Sequence, residues 1–185
     1  MIAFVFDTET SDLVANRTLR LDKQLNVIEF YGALVDLTYG QVMDDFETLI
    51  KPSKPLTDEK KGKRKRTISE ITGITNEMLT DAPAFDKVAD AIRRCVERAP
   101  LVISHNLSFD KDALEIEFAR LGQTLTWPPG ICTVEASVHC KGYRMSLPEL
   151  HQFLFNEEVT DHHRAKVDTE HLINCCVELQ RRDML

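Results

Sequence analysis

Apolar and polar positions alternate in a way that predicts strands in the first half of the chain and helices in the second. Residues 2–6 form an apolar run that predicts a buried strand, and residues 100–104 form another. Residues 27–38 and 41–50 are rich in β-branched and aromatic side chains and flank a Tyr-Gly turn at 39–40. This arrangement is typical of an antiparallel hairpin.

Helical spacing of apolar residues occurs in four segments, at residues 83–98, 108–121, 146–155 and 166–181. Pro83 suits the first turn of the first helix, and Ser108 is a predicted N-cap of the second. Ser146 and Glu149 have the spacing of a capping box for the third. A hairpin followed by alternating strands and helices predicts one α/β domain over residues 1–185, with helices flanking a mixed sheet.

The composition is that of an ordinary globular protein, with 43% hydrophobic and 29% charged residues and a net charge of −7. No apolar stretch approaches the length of a membrane span, and the N-terminus lacks the features of a signal peptide. We therefore expect a cytoplasmic protein without a membrane partner. Five cysteines without zinc-site spacing are best interpreted as reduced thiols: Cys95, Cys132, Cys140, Cys175 and Cys176.

Four acidic residues stand where apolar side chains are expected. Asp7 and Glu9 follow the first buried strand, and they share a face if that strand continues to position 9. Asp110 lies on the apolar face of the predicted second helix, and Asp168 lies on the apolar face of the last. Each acid alone is an ordinary cap or ion-pair member, but four inward carboxylates need a shared explanation.

Bound cations are the better explanation for these acids. An unpaired carboxylate in an apolar setting costs several kcal/mol. A salt-bridge cluster would need inward basic residues, and the two helices offer only Arg120 and Arg182 at the edges of their apolar faces. Ligation by carboxylates alone suits hard ions such as Mg²⁺ or Mn²⁺.

His163 adds a group that accepts protons near neutral pH, since an unperturbed imidazole has a pKa of about 6.5. It precedes Asp168 by five residues, so we place it on the loop that leads into the last helix. A histidine beside metal-binding carboxylates is a reasonable general base. His162 is adjacent, and the pattern alone leaves both histidines as candidates.

Three motifs in this order resemble those of the DnaQ-like, or DEDDh, family of 3′→5′ exonucleases. Residues 6–10 are similar to F-D-x-E-T, residues 105–110 to H-N-x-x-F-D, and residues 163–168 to H-x4-D. A Gly-Ile-Thr element at 73–75 also matches, and the resemblance extends over nearly the whole chain. The sister class of the family has Tyr where this chain has Arg164, so the histidine class is indicated.

The resemblance implies a ribonuclease-H-like fold, two Mg²⁺ ions that Mn²⁺ can replace, and release of nucleoside 5′-monophosphates from 3′ ends. By motif match, Asp7 would bridge the two ions, and Glu9 and Asp168 would complete the first site. Asp110 would hold the second ion largely through water. His163 would take a proton from the attacking water. Two such ions act together on the attacking and leaving oxygens of an in-line displacement.

The resemblance also implies contacts with the terminal nucleotides of the substrate. The residues at the matching positions are Thr8, Thr10, Leu13, His105, Asn106 and Phe109. Ordinary packing or turn formation is the alternative for each. Trp127 is a further candidate for stacking on a base, although packing is the simpler interpretation.

A dense basic run interrupts this acidic chain, formed by Lys60, Lys61, Lys63, Arg64, Lys65 and Arg66. One interpretation is a clamp on the nucleic-acid backbone outside the metal site. The others are a solvated loop and a surface for a protein partner.

The favoured hypothesis is a 3′→5′ exonuclease that acts on single-stranded or frayed DNA ends in proofreading or repair. It implies a replication or repair protein as a partner. An RNA-trimming enzyme of the same family is the first alternative, because the motifs scarcely separate DNA from RNA. An inactive nucleic-acid-binding or polymerase-associated module is the second, and the intact set of acids with His163 argues against it.

Overall fold

The computed structural model describes residues 1–13, 20–57, 66–159 and 163–185. Within these ranges, five strands form one sheet in the order β3-β2-β1-β4-β5. The strands are β1 (Ile2–Thr10), β2 (Val27–Asp36), β3 (Gln41–Leu49), β4 (Val102–Ser104) and β5 (Gly130–Cys132). The pairs β1–β2 and β2–β3 are antiparallel, whereas β1–β4 and β4–β5 are parallel. The predicted mixed sheet is therefore confirmed.

Helices cover both faces of this sheet. In the described ranges they are α1 (Ile68–Thr72), α2 (Asn76–Thr80), α3 (Phe85–Glu97), α4 (Leu107–Arg120), α5 (Thr133–Lys141), α6 (Leu147–Phe155) and α7 (Ala165–Arg181), with a 3₁₀ turn at Leu21–Lys23. The predicted helices correspond to α3, α4, α6 and α7, whereas α1, α2, α5 and β5 were not predicted. No helix among the described residues is long and apolar enough to span a bilayer.

Two predicted helix starts were wrong. Asn106, with φ of 74°, is the residue that precedes α4, so Ser108 lies inside the first turn and does not cap it. The helix starts earlier because Leu107 is already a buried helical residue. Pro83 lies before Ala84, the N-cap of α3, and its carbonyl accepts a hydrogen bond from Lys51 N–H (2.8 Å). Pro83 therefore belongs to an extended segment that pairs with residue 51.

β1 is longer than the apolar run that predicted it. It continues through Asp7 and Glu9 to Thr10, because β2 supplies backbone partners along its whole length. Side chains therefore alternate between the two faces of the sheet up to position 10, apart from a register shift between Glu9 and Thr10.

A separate hydrophobic core lies on each face of the sheet. Phe4, Phe6 and Phe30 pack with α3 and α4 on one face. Ala3 and Val5 pack with α6 and α7 on the other. Side chains alternate along β1, so Asp7 and Glu9 lie on the same face as Ala3 and Val5. They therefore face α7, while Thr8 faces α4.

Gly32 on β2 makes room for the aromatic side of this core. A Cβ at Gly32 would lie 2.2 Å from Cζ of Phe4. The Phe4 ring instead lies directly over the bare backbone, stacked on Phe6 with centroids 5.9 Å apart. The glycine thus fixes the packing of β1 at a position three residues before Asp7.

β3 forms the outer edge of the sheet. Most of its side chains are exposed, including Val42 and Met43. A register shift against β2 occurs between Leu34 and Val35. The strand also carries Asp44, Asp45 and Glu47.

Candidate active site

The four predicted acids converge at one edge of the sheet. β4 runs parallel to β1, so the chain leaves both strands at the same edge. Asp7 and Glu9 lie on the last part of β1, and α4 begins immediately after β4 with Asp110 in its first turn. Asp168 lies in the first turn of α7. The fold therefore brings together side chains that are up to 161 positions apart in the sequence (7 to 168).

Glu9, His163 and Asp168 form a group that fits a metal ion. One ligand atom from each lies within 4.8 Å of the others. The two carboxylates suit Mg²⁺ or Mn²⁺, and the imidazole lies close enough to bind such an ion or to accept a proton from water beside it. Asp7 shares a strand face with Glu9, so it extends the same donor set.

Repulsion among the acids supports this interpretation. Burial raises the pKa of Asp7 well above its usual value, and the charges of Asp110, Glu9 and Asp168 raise it further. Burial likewise raises the pKa of Glu9 to about 8, with Asp168 adding to the effect. A bound cation would remove this cost, because it favours the ionised form of each carboxylate.

The alternative of a salt-bridge cluster is not supported by its two candidate arginines. Arg120 pairs with Glu117 (2.8 Å), and Arg182 pairs with Glu178 (2.6 Å). Both arginines therefore bind acids outside the set of four.

Asp110 is fixed by three hydrogen bonds. Its Oδ1 accepts from Thr8 N–H (3.1 Å) and from Thr8 Oγ1 (2.7 Å), and its Oδ2 accepts from Ser104 Oγ. The side chain is only 2% exposed. Burial raises the pKa of Asp110 to about 6, and these hydrogen bonds oppose that rise. The bonds orient the carboxylate and favour its charged form.

His163 lies on the short segment that enters α7, as predicted. Its backbone has φ of 73°, in the left-handed region, and its N–H donates to Asp168 Oδ2 (2.8 Å). The imidazole thereby lies within the donor group of Glu9 and Asp168. His162, the alternative candidate, is outside the described residues.

The candidate substrate contacts on β1 and the loop after it differ in exposure. Thr8 is 5% exposed, and its hydroxyl binds Asp110. Thr10 is also buried, and its hydroxyl donates to Asp12 O (2.7 Å). Leu13 is 65% exposed beyond the edge of the sheet. An apolar side chain with this exposure is available to contact a base, whereas both threonine hydroxyls are already engaged.

The candidates at the β4–α4 junction also occupy different environments. His105 is partly buried, its Nδ1 lies 2.9 Å from Thr133 Oγ1, and burial lowers its pKa to about 4. Asn106 is exposed at the start of α4. Phe109 is partly buried against the aromatic core. Asn106 is thus the most accessible of the three, and His105 is held as a neutral side chain at pH 7.

The other nucleic-acid candidates are only partly within the described chain. Lys60, Lys61, Lys63, Arg64 and Lys65 of the basic run lie outside it. Arg66 is exposed and donates from Nη2 to Glu70 O (2.5 Å). Trp127 packs on Phe6 with centroids 6.0 Å apart and donates from Nε1 to Glu115 (3.0 Å), so it has the packing role.

Two buried acids near the site were not predicted. Glu29 on β2 is 1% exposed and lies opposite Glu9 in the β1–β2 pair. Glu117 on α4 is 4% exposed and accepts hydrogen bonds from Asn26 Nδ2 and Val27 N–H. Glu117 had a visible signal, because it follows Asp110 by seven residues and therefore shares its helix face. Glu29 had one as well, because it is an acid on the strand face that carries Tyr31, Ala33 and Val35.

Comparison with known sequences identifies relatives of much greater length. The PolC-type DNA polymerase III of Bacillus cereus is 35% identical over 173 residues, and that of Bacillus subtilis is 34% identical over 176. Each match covers 90% of this chain and 10% of the relative. The chain thus spans about a tenth of the length of these polymerases.

Comparison with solved structures shows a shared fold at low sequence identity. Exonuclease X in complex with 5′ overhanging duplex DNA matches with a TM-score of 0.68 and 20% identity, over 97% of this chain and 92% of that one. The nuclease domain of 3′hExo, a DEDDh family member bound to rAMP, matches with a TM-score of 0.75 and 15% identity, over 98% and 92%. The expected ribonuclease-H-like fold is therefore confirmed.

The model of the RNase_T exonuclease family matches residues 4–175. This range begins within β1 and ends within α7, so it contains all four converging acids and His163. The sequence match, the shared fold and the convergent acids agree, and the chain belongs to the RNase_T exonuclease family, the DnaQ-like exonucleases predicted from its motifs.

Proposed function

We propose that this chain is a metal-dependent 3′→5′ exonuclease that removes nucleoside 5′-monophosphates from the 3′ ends of DNA. The observation that carries the proposal is the convergence of Asp7, Glu9, Asp110 and Asp168 with His163 at one edge of the sheet. Burial and the charges of the neighbouring acids raise the pKa values of Asp7 and Glu9, and bound cations would offset this cost.

Each group has a chemical task in this proposal. Glu9, Asp168 and Asp7 would hold one divalent cation, and Asp7 with Asp110 would hold a second. When bound, the two cations supply positive charge to the phosphate oxygens and lower the pKa of coordinated water. His163 accepts the proton from the attacking water, and the hydrogen bond from its N–H to Asp168 keeps its segment beside the carboxylates. Leu13, exposed beside the site, packs against the terminal base.

DNA is the favoured substrate because the sequence relatives are DNA polymerases and one structural neighbour holds duplex DNA. A single-stranded or frayed 3′ end suits a site at a sheet edge reached by one terminal nucleotide. The PolC relatives also suggest a replication protein as the partner. RNA 3′-end trimming is the second candidate, since another neighbour was solved with rAMP.

The test is digestion of single-stranded DNA, duplex DNA with a frayed 3′ end, and RNA, each labelled at the 5′ or the 3′ end. With Mg²⁺ or Mn²⁺, we expect a ladder shortened from the 3′ end and release of 5′-monophosphates, fastest on single-stranded DNA. EDTA should abolish the reaction. Activity that persists in EDTA would refute the metal-dependent mechanism, and faster degradation of RNA would select the second candidate.

The same digestion assigns roles to single residues through three variants. Asp7→Ala should lose nearly all activity, because Asp7 serves both cation sites. His163→Ala should lose most of the activity, on the order of 10²- to 10⁴-fold for a general base, while Mn²⁺ affinity measured by calorimetry falls little. His162→Ala is the matched control and should retain activity; if it is the crippling change instead, the assignment of the base to His163 is wrong.

A further inference from the structure

An ion pair between buried Glu29 and partly exposed Arg164 joins β2 to the start of α7 beside the site, and the roles assigned above do not use it. Glu29 is 1% exposed and lies directly opposite Glu9. Like charges that face each other across paired strands are destabilising. A fifth acid beside four carboxylates that already repel therefore needs a specific use.

Glu29 differs from the four acids because it already has a positive partner within the protein, Arg164, and both its oxygens are engaged. Its Oε1 accepts from Arg164 Nε (3.0 Å) and Nη2 (2.5 Å). Its Oε2 accepts from Arg164 Nε (3.1 Å) and from Ala165 N–H (2.9 Å). A planar guanidinium bound in this forked way is held in direction as well as in position.

The contact with Ala165 ties Glu29 to the helix itself. Ala165 is the first residue of α7, and the first N–H groups of a helix have no partner within the helix. Arg164 is the N-cap residue and supplies no side-chain capping bond of its own. Glu29 therefore caps α7 from a neighbouring strand, so the start of this helix is fixed against β2.

His163 immediately precedes this anchored pair of residues. Its φ of 73° is an unfavourable conformation for a residue with a side chain, and such a conformation persists only when its surroundings hold it. On one side, its N–H is bound to Asp168. On the other, residues 164 and 165 are bound to Glu29. The backbone of His163 is thus held at both ends.

We propose that Glu29 and Arg164 are positioning residues that hold the His163 segment, and with it Asp168, in the geometry that hydrolysis requires. This role rests on the proposed function, in which His163 accepts a proton. We call the ion pair of Glu29 and Arg164, with the hydrogen bond from Ala165 N–H to Glu29, the brace. Displacement of a catalytic group by about 1 Å can cost 10²-fold in rate, so loss of the brace should lower kcat.

The test uses Glu29→Gln, Arg164→Met and Arg164→Lys, together with the double variant Glu29→Gln/Arg164→Met. The substrate is the p-nitrophenyl ester of thymidine 5′-monophosphate, with Mg²⁺. We expect each single variant to lower kcat on the order of 10- to 100-fold, the range found for supporting groups around metal sites, with KM unchanged. Arg164→Lys should be impaired because it keeps the charge and loses the fork.

The double variant distinguishes a positioning role of Glu29 and Arg164 from a purely electrostatic one. It keeps the net charge beside Glu9, because it removes one positive and one negative group. We expect it to stay as impaired as Arg164→Met, since the brace is missing in both. Recovery of wild-type kcat in the double variant would overturn the positioning role and leave only an electrostatic one.

A matched control is offered by Arg93 and Glu97 on α3, which carries none of the site residues. Arg93 donates to Thr124 O (2.7 Å) and contacts Glu97 (3.5 Å), which accepts from Thr126 N–H (3.0 Å). Like the brace, it is therefore an ion pair of Arg and Glu in which the Glu also accepts a hydrogen bond from a backbone N–H. Arg93→Met and Glu97→Gln should lower Tm comparably and leave kcat unchanged. Equal kcat in the control and brace variants would contradict the proposal.

Amide hydrogen exchange gives a readout that does not depend on activity. Removal of the brace should make the His163 N–H exchange faster in Arg164→Met, or in Arg164→Lys if the Met variant does not fold, with α3 amides unchanged. Unchanged protection of His163 would overturn the inference. If the wild type hydrolyses no phosphodiester, the proposed function fails, and the exchange measurement alone decides whether the brace holds this segment.

Discussion

At the scale of single residues, Asp7 and Glu9 are charged groups held where charge is unfavourable. The strand that carries them is buried, and three further acids surround them. Thr8 lies between them, and its hydroxyl donates a hydrogen bond to Asp110. One tripeptide thus supplies two carboxylates to one face of the sheet and orients a third from the other face.

A dependence of stability on pH follows from these carboxylates. Burial raises the pKa of Glu9 to about 8 in the folded protein, whereas the unfolded chain has the usual value near 4.5. Between these values the folded state binds more protons, so its stability falls as pH rises. Without metal, the free energy of unfolding should fall by up to several kcal/mol from about pH 4.5 to 8. Saturating Mg²⁺ should reverse this trend, because cations bind the ionised carboxylates.

Urea denaturation in EDTA at several pH values measures this effect. His105 has the opposite effect at acidic pH: burial lowers its pKa to about 4, so its contribution makes stability rise with pH. The informative quantity is therefore the difference in pH dependence between a variant and the wild type. Glu9→Gln should reduce the decline without removing it, because Asp7 and Asp110 also have raised pKa values. Glu170→Gln, an exposed position on α7, is the control and should follow the wild type. A decline that is unaffected by Glu9→Gln would contradict the assignment.

The four acids and His163 could be predicted because local periodicity marks an acid on an apolar face and the motifs supply their order. The same periodicity marks Glu29 as an acid on an apolar strand face, but its pairing could not be predicted. Its partner Arg164 lies 135 positions later in the chain, and only the folded sheet brings the two together. The brace is therefore a property of tertiary structure rather than of any segment.

At the scale of elements, the long helices and the hairpin were predictable and the short or polar elements were not. α5 buries Thr133 and Ser137, so its inner face carries no apolar periodicity. β5 is three residues long and follows Pro128 and Pro129, which argue against a strand in the sequence. Pairing with β4 creates this strand, and pairing is a nonlocal property.

Gly32 provides a test of how β1 is held. Gly32→Ala would place a methyl group against the Phe4 ring. We expect this overpacking to cost about 1–3 kcal/mol of the free energy of unfolding, measured by urea denaturation. Because Phe4 lies three residues before Asp7, Mn²⁺ affinity should weaken as well.

A second change separates this clash from a general intolerance of β2. In Phe4→Leu the ring is replaced by a smaller side chain, so adding Gly32→Ala to Phe4→Leu should cost less than adding it to the wild type. Equal costs in the two backgrounds would show that the Phe4 ring is not the source of the strain.

At the scale of the whole molecule, the charge distribution is uneven, because a chain of net charge −7 carries six basic residues within positions 60–66. Most of that run is outside the described residues, so its role as a clamp stays a prediction. Replacing all six with Ser should weaken binding to long single strands. The slope of log K against log salt should become shallower by about 0.7 for each phosphate that the basic run neutralises in the wild type.

Hydrolysis of the p-nitrophenyl nucleotide ester should be unaffected by that replacement, because so small a substrate cannot reach beyond the site. Lys87→Ser, at an exposed position on α3, is the control and should leave the salt slope unchanged. The clamp is excluded if the six-residue variant keeps the slope of the wild type.

The outer strand β3 has a consequence for colloidal behaviour. Its outer backbone edge could recruit the same edge of a second molecule, as exposed strands do in aggregation. The strand carries charged side chains, of which Asp44 is paired with Arg98 and Glu47 with Lys166, and the register shift against β2 bends it. Charged side chains and a bend both disfavour the flat pairing of two such edges. We therefore expect β3, which contributes no residue to the candidate site, to resist edge-to-edge self-association at high concentration.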